Sequence, residues 1–146
     1  MYKHILIPTD GSDLSNAAID QTLQLARTLG ARVTALTVAE PLHFLPVTPG
    51  ATASLRTDYE AHVKEDGIRI LGAVEAKANA AGVPVETLQV TAGDAWQAIV
   101  DTAKAKGCDL IAMASHGRRG VSAFLMGSVT TKVLSHAKVP VLVYRS

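Results

Sequence analysis

The 146-residue sequence has one cysteine, few aromatic residues and almost no net charge. A single cysteine, Cys108, excludes an intramolecular disulfide and a cysteine-based metal cluster. A formal charge of +1 gives no basic field to gather nucleic acid and no acidic excess of the kind that favours disorder. The histidines lack the spacing of metal ligands on a helix. These features argue against a disulfide scaffold, a nucleic-acid-binding protein and a metal centre.

Long apolar runs are also missing from the sequence. No stretch approaches the ~20 apolar residues that cross a membrane. The run at residues 4–7 is too short for a signal peptide. We therefore expect a cytoplasmic protein with no membrane association. The length predicts one domain, residues 1–146, which would bury roughly 70% of its unfolded surface.

Short apolar runs alternate with amphipathic segments along the whole chain. The runs predict buried strands at residues 4–7, 32–38, 85–90, 110–114 and 140–144. Helical spacing predicts helices at residues 13–29, 58–81, 95–106 and from 128 onward. The inner face of the second helix is expected to carry Val63, Ile68, Leu71, Val74 and Ala78. This alternation predicts an α/β fold, with a single doubly wound parallel sheet of five strands and helices on both faces.

The stretch 39–57 contains Pro41, Pro46 and Pro49 and shows little periodicity. It predicts an irregular segment, the longest in the chain, that could serve as a lid or a contact surface.

A loop of small residues joins the fourth predicted strand to the last helix. It opens with Ala114-Ser115-His116-Gly117 and ends at Gly127-Ser128-Val129-Thr130, where the helix begins. Unpaired N–H groups and the positive end of the helix dipole make such a place suitable for an anion such as phosphate. Gly117, Gly120 and Gly127 would permit positive φ angles and a close approach of ligand to backbone. The spacing fits neither the P-loop nor the dinucleotide-binding pattern, and a flexible connection without a ligand is the alternative.

Polar and small residues follow the carboxyl ends of the predicted strands, among them Asp10, Val38 and the loop from Ala114. In doubly wound sheets ligands bind at this edge, where the strand order reverses. If the first and fourth strands are neighbours, Asp10 and the glycine-rich loop face each other across a crevice. Asp10 could equally cap the first helix or hold a turn, because Gly11 and Ser12 follow it.

Four segments together resemble the universal stress protein family. They run from His4 to Ser12, from Met113 to Gly120, from Gly127 to Val129 and from Val139 to Val143, and their order matches over the whole chain. The resemblance implies an adenine-nucleotide α-hydrolase-like domain with strand order 3-2-1-4-5. It also implies a homodimer, formed here through the last strand from Val139 to Tyr144.

The family's nucleotide-binding branch carries the pattern G-x-x-G, nine residues, G-[S/T]. This chain has Gly117, the nine-residue spacing, Gly127 and Ser128, but Ala114 replaces the first glycine. If the site requires a positive φ at position 114, alanine costs about 1 kcal/mol, and if it requires only a small residue the cost is near zero. The resemblance therefore implies ATP as the ligand, with the need for Mg²⁺ left open.

The resemblance also assigns roles to individual residues. The adenosine would contact Pro8, Thr9 and Asp10, and the adenine edge would meet backbone groups of Val38. The phosphates would be wrapped by Ala114, Ser115, His116, Gly117, Arg118, Arg119 and Gly120. Donors at the helix start would come from Gly127, Ser128, Val129 and Thr130. Simpler alternatives are an N-cap role for Ser128 and a solvated loop for Arg118 and Arg119.

These features favour an ATP-binding stress-response protein that acts as a nucleotide-linked sensor or regulator, with slow or no hydrolysis. The alternative is a nucleotide-independent dimeric interaction module of the same fold, which the alanine at position 114 favours. A third class, a nucleotidyl transferase or α-phosphate hydrolase, needs substrate groups for which 146 residues leave little room. The nucleotide content of the purified protein separates the first two classes.

Overall fold

A computed structural model describes residues 1–41, 49–117 and 126–145, with residues 49–52 described by their backbone alone. Five strands and four helices alternate along these residues. The strands are β1 (His4–Pro8), β2 (Arg32–Ala39), β3 (Val85–Thr91), β4 (Leu110–Ala114) and β5 (Val141–Tyr144). The helices are α1 (Asp13–Leu29), α2 (Pro49–Ala81), α3 (Ala95–Lys106) and α4 (Ser128–His136).

The five strands form one parallel sheet in the order β3-β2-β1-β4-β5. In the centre, Ile5 of β1 lies opposite Val33 of β2 and Leu110 of β4. The chain moves from β1 out to β3 and then crosses back to β4. The strand order therefore reverses between β1 and β4, and the predicted doubly wound sheet is confirmed.

Each face of the sheet carries its own hydrophobic core. Ile5 and Ile7 point to the face covered by α1 and α2. Leu6, between them, points to the opposite face, covered by α3 and α4. This alternation follows from the two-residue period of a strand, and the prediction of helices on both faces is confirmed.

Helix α1 begins and ends where its capping residues predict. The Ser12 hydroxyl accepts a hydrogen bond from Ser15 N at 3.3 Å at the N-terminus. Gly30 ends the helix with a φ of 67°, a left-handed conformation that glycine adopts without strain. This helix is therefore anchored directly after the turn that contains Asp10.

Helix α2 differs from the prediction in two respects. It begins at Pro49 rather than at residue 58, so the expected irregular segment is wrong over residues 49–57, while residues 42–48 lie outside the described part of the chain. Ile68 is 63% exposed and does not belong to the inner face. Gly67 lies on the buried face, and one residue further along a helix turns the side chain by about 100°.

Helix α2 is also the longest helix, with 33 residues, but most of its side chains are polar or exposed. In the part of the chain that the structure describes, no helix has both the length and the apolar surface required to cross a bilayer.

Cys108 is buried directly before β4, and we predict that it is unreactive in the folded protein. Burial, with a smaller contribution from the Asp109 carboxylate, raises the pKa of the Cys108 thiol to about 11. Because the thiolate is the reactive form, alkylation by iodoacetamide at pH 8 should be at least about tenfold slower in the folded than in the denatured protein. Mass spectrometry of quenched time points measures both rates, and equal rates would contradict the prediction.

Candidate functional site

A cavity of about 570 Å³ opens at the carboxyl edge of the sheet, above the point where the strand order reverses. It brings together many of the residues predicted for a ligand site. Those that line it are Pro8, Thr9, Asp10, Val38, Ala114, His116, Gly117, Gly127, Ser128, Val129 and Thr130. Ser115 is buried beside the cavity, with its Oγ 3.2 Å from His116 Nδ1. The predicted residues Arg118, Arg119 and Gly120 lie outside the described residues.

Asp10 and Gly117 approach each other closely across the crevice between β1 and β4. Asp10 Oδ1 accepts hydrogen bonds from Ser12 N at 2.9 Å and from Ser15 Oγ at 3.0 Å. A Cβ at position 117 would lie 3.2 Å from Asp10 Cγ and would overlap Oδ2. The carboxylate therefore holds the start of α1 with one oxygen and directs the other toward the loop, so the two roles considered for Asp10 are compatible.

The glycines of this loop are required for a different reason from the predicted one. Neither Gly117 nor Gly127 has a positive φ, and Gly127 is extended, with a φ of −63°. A Cβ at position 127 would lie 3.1 Å from His116 Cβ and 3.3 Å from Ser115 O. Close packing, rather than a left-handed backbone, therefore disfavours a side chain at these two positions, more strongly at 117 than at 127.

The N-terminus of α4 faces the cavity. Gly127, not Ser128, is the N-cap residue, and no side chain caps the helix. The Gly127 N–H donates to Ser115 O at 2.8 Å, so it is used inside the loop. The first intrahelical bond runs from Thr131 N to Gly127 O. The N–H groups of the residues between them therefore have no partner within the helix and suit an anion.

Ala114 lies in β4 without backbone strain, because no described residue other than glycine has a positive φ. It lies opposite Tyr144 of β5, and its carbonyl oxygen accepts a hydrogen bond from Thr130 Oγ1 at 3.0 Å. The cost considered above for alanine in place of glycine therefore does not arise. The Thr130 hydroxyl, predicted as a ligand donor, donates into the protein instead.

We predict that Thr130→Val destabilises the fold by about 1–3 kcal/mol, because it leaves the Ala114 carbonyl buried without its partner. Thr130 is only 2% exposed, and valine keeps its shape. Urea denaturation followed by circular dichroism gives the free energy of unfolding. Thr28→Val is the matched control, since Thr28 is exposed and bonds only to Gln24 O in its own helix. An equal, small loss in both variants would contradict the prediction.

The peptide groups of Val38 face the cavity rather than a neighbouring strand. Successive residues of a parallel strand direct their N–H and C=O groups alternately to either side. The Leu36 carbonyl accepts from Thr9 N on the β1 side, whereas the Ala39 carbonyl accepts from Ala92 N on the β3 side. Val38 therefore points toward β1, but the pairing of β1 with β2 has already ended at Leu36. Among the described residues, no backbone group of β1 pairs with the Val38 N–H or C=O, so one donor and one acceptor lie side by side at the cavity.

Helix α2 supplies a wall of the cavity that the sequence analysis missed. Its contributing residues recur at helical spacing: Tyr59, His62, Val63, Asp66, Gly67 and Ile70. The remaining lining residues that were not predicted are Ser15, Leu36, Thr37, Ala39, Glu40, Gln89, Ala95, Ile99 and Met113. The helical period of the α2 residues was visible in the sequence, but nothing local indicated that this face covers a cavity as well as the core. Asp66 also forms an ion pair with Arg69 on the same helix.

Comparison with known proteins places these features in a family. The model of the universal stress protein family matches residues 1–145. Universal stress protein MJ0531 of Methanocaldococcus jannaschii is 34% identical over 145 residues, which are 99% of this chain and 83% of that protein. The structure of MJ0577, from the same organism, covers 100% of this chain and 97% of its own, with a TM-score of 0.84 and 25% identity. A universal stress protein solved in complex with cAMP covers 99% of this chain and 97% of its own, with a TM-score of 0.68 and 26% identity.

Proposed function

The chain belongs to the universal stress protein family, and on that premise we propose that it binds an adenine nucleotide, ATP, in the cavity at the carboxyl edge of its sheet. The observation that carries the proposal is the order of three groups along one cavity. The peptide groups of Val38, the Asp10 carboxylate and the start of α4 follow one another across β2, β1 and β4. This order matches the base, ribose and phosphates of a nucleotide.

Each of the three groups has the chemistry that its part of the nucleotide requires. The Val38 C=O and N–H complement the N6 amino group and N1 of adenine. Asp10 Oδ2 accepts a hydrogen bond from a ribose hydroxyl. The first-turn N–H groups of α4 and its dipole stabilise the phosphates. The structure of a universal stress protein in complex with cAMP supports an adenine nucleotide as the ligand class.

We further propose that the protein is a regulator whose partner reads the nucleotide state. A nucleotide that binds one arrangement of the loop after β4 more tightly shifts the population toward that arrangement. The proposed assembly is a cytoplasmic homodimer of single domains, residues 1–146, joined through the last strand from Val139 to Tyr144. β5 is an edge strand, and pairing with a second copy would cover its open edge.

The test is the nucleotide content of the freshly purified protein, followed by calorimetric titration with ATP in the presence and absence of Mg²⁺. AMP, cAMP and GTP serve as comparison ligands, and GTP is expected to bind most weakly because Val38 offers the wrong pattern to guanine. A protein that is isolated empty and ignores millimolar ATP would overturn the proposal. The function would then lie in the nucleotide-independent dimer.

ATP hydrolysis is expected to be slow, with a turnover below about 1 s⁻¹. Asp10 Oδ1 is already engaged by Ser12 and Ser15, and in the proposed arrangement Oδ2 accepts a hydrogen bond from a ribose hydroxyl. It is therefore badly placed to activate water at the γ-phosphate. The assay is phosphate release from ATP, measured on the protein after each of several purification columns. A fast rate that stays proportional to the amount of protein through all columns would contradict this prediction.

A further inference from the structure

A second cavity, of about 500 Å³, adjoins the first one at the end where Val38 lies. It lies between α2 and the carboxyl ends of β2 and β3. The residues that line both cavities are Ala39, Glu40, Tyr59, Val63 and Gln89. These residues belong to the walls of both spaces and lie where the two adjoin; together they are called the partition. Gln89 reaches into the partition from β3, and Tyr59 reaches into it from α2.

Gln89 is held firmly in this partition. Its Nε2 donates a hydrogen bond to Val63 O of α2 at 3.0 Å. Its carboxamide rests directly on Gly67, where a Cβ would lie only 2.5 Å from Gln89 Cδ and Oε1. Any side chain at position 67 would therefore displace Gln89. A glycine in the middle of a helix costs about 1 kcal/mol relative to alanine, and this contact explains its presence.

Tyr59 is fixed in the same manner. Its hydroxyl donates to Glu40 O at 2.5 Å, directly after the end of β2. Both side chains are thus attached to main-chain carbonyls, one on α2 and one beyond β2. Gln89 and Tyr59 are therefore the two side chains of the partition that hydrogen bonds hold in place.

We propose that Gln89, seated on Gly67, is a specificity-determining residue that closes the base end of the nucleotide cavity and limits it to adenine without a bulky N6 substituent. The inference rests on the proposed function, since it assumes that the base lies at Val38. The inference narrows the ligand from adenine nucleotides in general to those without a bulky group on N6.

The direction of the base follows from the direction of β2. Along the chain the N–H of Val38 precedes its C=O, and the strand continues toward Ala39 and Glu40. In the proposed pose, adenine N1 accepts a hydrogen bond from the Val38 N–H, and the adenine N6 amino group donates one to the Val38 C=O. The N6 position then points along the strand, toward Ala39 and Glu40. Both belong to the partition. A large group on N6 therefore meets the partition, and the second cavity lies behind it.

The experiment compares ATP with N6-benzyl-ATP by calorimetric titration of the full-length protein. The wild type is expected to bind the benzyl analogue at least about 30-fold more weakly than ATP. In Gln89→Ala this ratio should fall at least about tenfold, because the two cavities become continuous. Gln89→Met is the matched control, since it fills the same volume without a hydrogen bond and should discriminate like the wild type.

The outcomes separate this inference from the proposed function. Wild-type protein that does not bind ATP overturns both. ATP binding with an unchanged ratio in Gln89→Ala overturns the inference alone, and so does Gln89→Met that behaves like Gln89→Ala.

A second set of variants tests the seat on Gly67. Gly67→Ala is expected to weaken ATP binding at least about tenfold, because the displaced Gln89 side chain enters the cavity. The same change in a Gln89→Ala background should cost less than about threefold. Gly72→Ala, on the same helix with no atom within 4 Å of the new Cβ, should leave affinity unchanged. Equal effects of Gly67→Ala in the two backgrounds would overturn the inference.

Discussion

Gly117→Ala is expected to weaken ATP binding about 100-fold, which corresponds to about 2.7 kcal/mol and lies within the range typical of overpacking. The added Cβ would overlap Asp10 Oδ2, and Asp10 cannot simply rotate away. Its other oxygen holds Ser12 N and Ser15 Oγ at the start of α1. Either the carboxylate gives up these bonds or the loop after β4 retreats, and each change separates the groups proposed to bind ribose and phosphate.

Two other glycines provide the controls for this experiment. Gly72→Ala adds the same methyl group on the exposed side of α2, where nothing lies within 4 Å, and should leave affinity unchanged. Gly127→Ala meets His116 and Ser115 at 3.1–3.3 Å and should have an intermediate effect. The affinities are measured by calorimetry, with thermal melts to show that each variant is folded. Gly117→Ala that binds as tightly as Gly72→Ala would contradict the close approach as the cause.

Asp10→Asn is expected to weaken ATP binding about 10- to 100-fold, because a hydrogen bond to a charged acceptor contributes about 1.5–3 kcal/mol. Asparagine keeps one oxygen for Ser12 N and Ser15 Oγ, so the start of α1 stays supported. The atom that replaces Oδ2 becomes a donor and cannot accept from a ribose hydroxyl. The loss should therefore fall on the ligand more than on the fold.

Deoxy nucleotides show whether the lost bond is the one proposed. With the wild type, either 2′-deoxy-ATP or 3′-deoxy-ATP should bind more weakly than ATP, and that difference should largely vanish in Asp10→Asn. Asp94→Asn is the matched control, because Asp94 also follows the carboxyl end of a strand but its side chain makes no capping bond and does not line the cavity. If Asp10→Asn weakens the binding of ATP and of both deoxy nucleotides by the same factor, the lost interaction is not a hydrogen bond to a ribose hydroxyl.

Strands β1 and β4 were predictable because each is a short apolar run, and β2 because β-branched and small residues alternate along it. The bounds of β4 and α3 agree with the prediction residue for residue. The start of α2 was not predictable by periodicity, because residues 53–58 are all exposed and show no apolar stripe. The prediction that Ile68 lies on the inner face was wrong because an apolar residue on a long helix can lie on the exposed side.

Those features of the candidate site that follow from the strand order were predictable from the sequence. Those that follow from side-chain packing were not. Asp10 and the loop after Ala114 meet as expected, because the carboxyl ends of neighbouring parallel strands share one edge. The positive φ expected at positions 117 and 127 was wrong, since a sequence does not reveal which atoms approach a given residue. The contribution of α2 was missed because it comes from an element that is distant along the chain.

The proposed recognition of the base by the Val38 peptide groups has a consequence for how this protein tolerates mutation. Recognition of a base by main-chain N–H and C=O groups depends on the backbone conformation and not directly on the side chain at that position. Among replacements at this position, only proline deletes the N–H. The Val38 side chain packs against the core, so exchange for another apolar residue of similar size is expected to leave the proposed base recognition intact. A lineage that abandons nucleotide binding is expected to show the loss first at positions such as 10 and 117, where side-chain volume and charge matter.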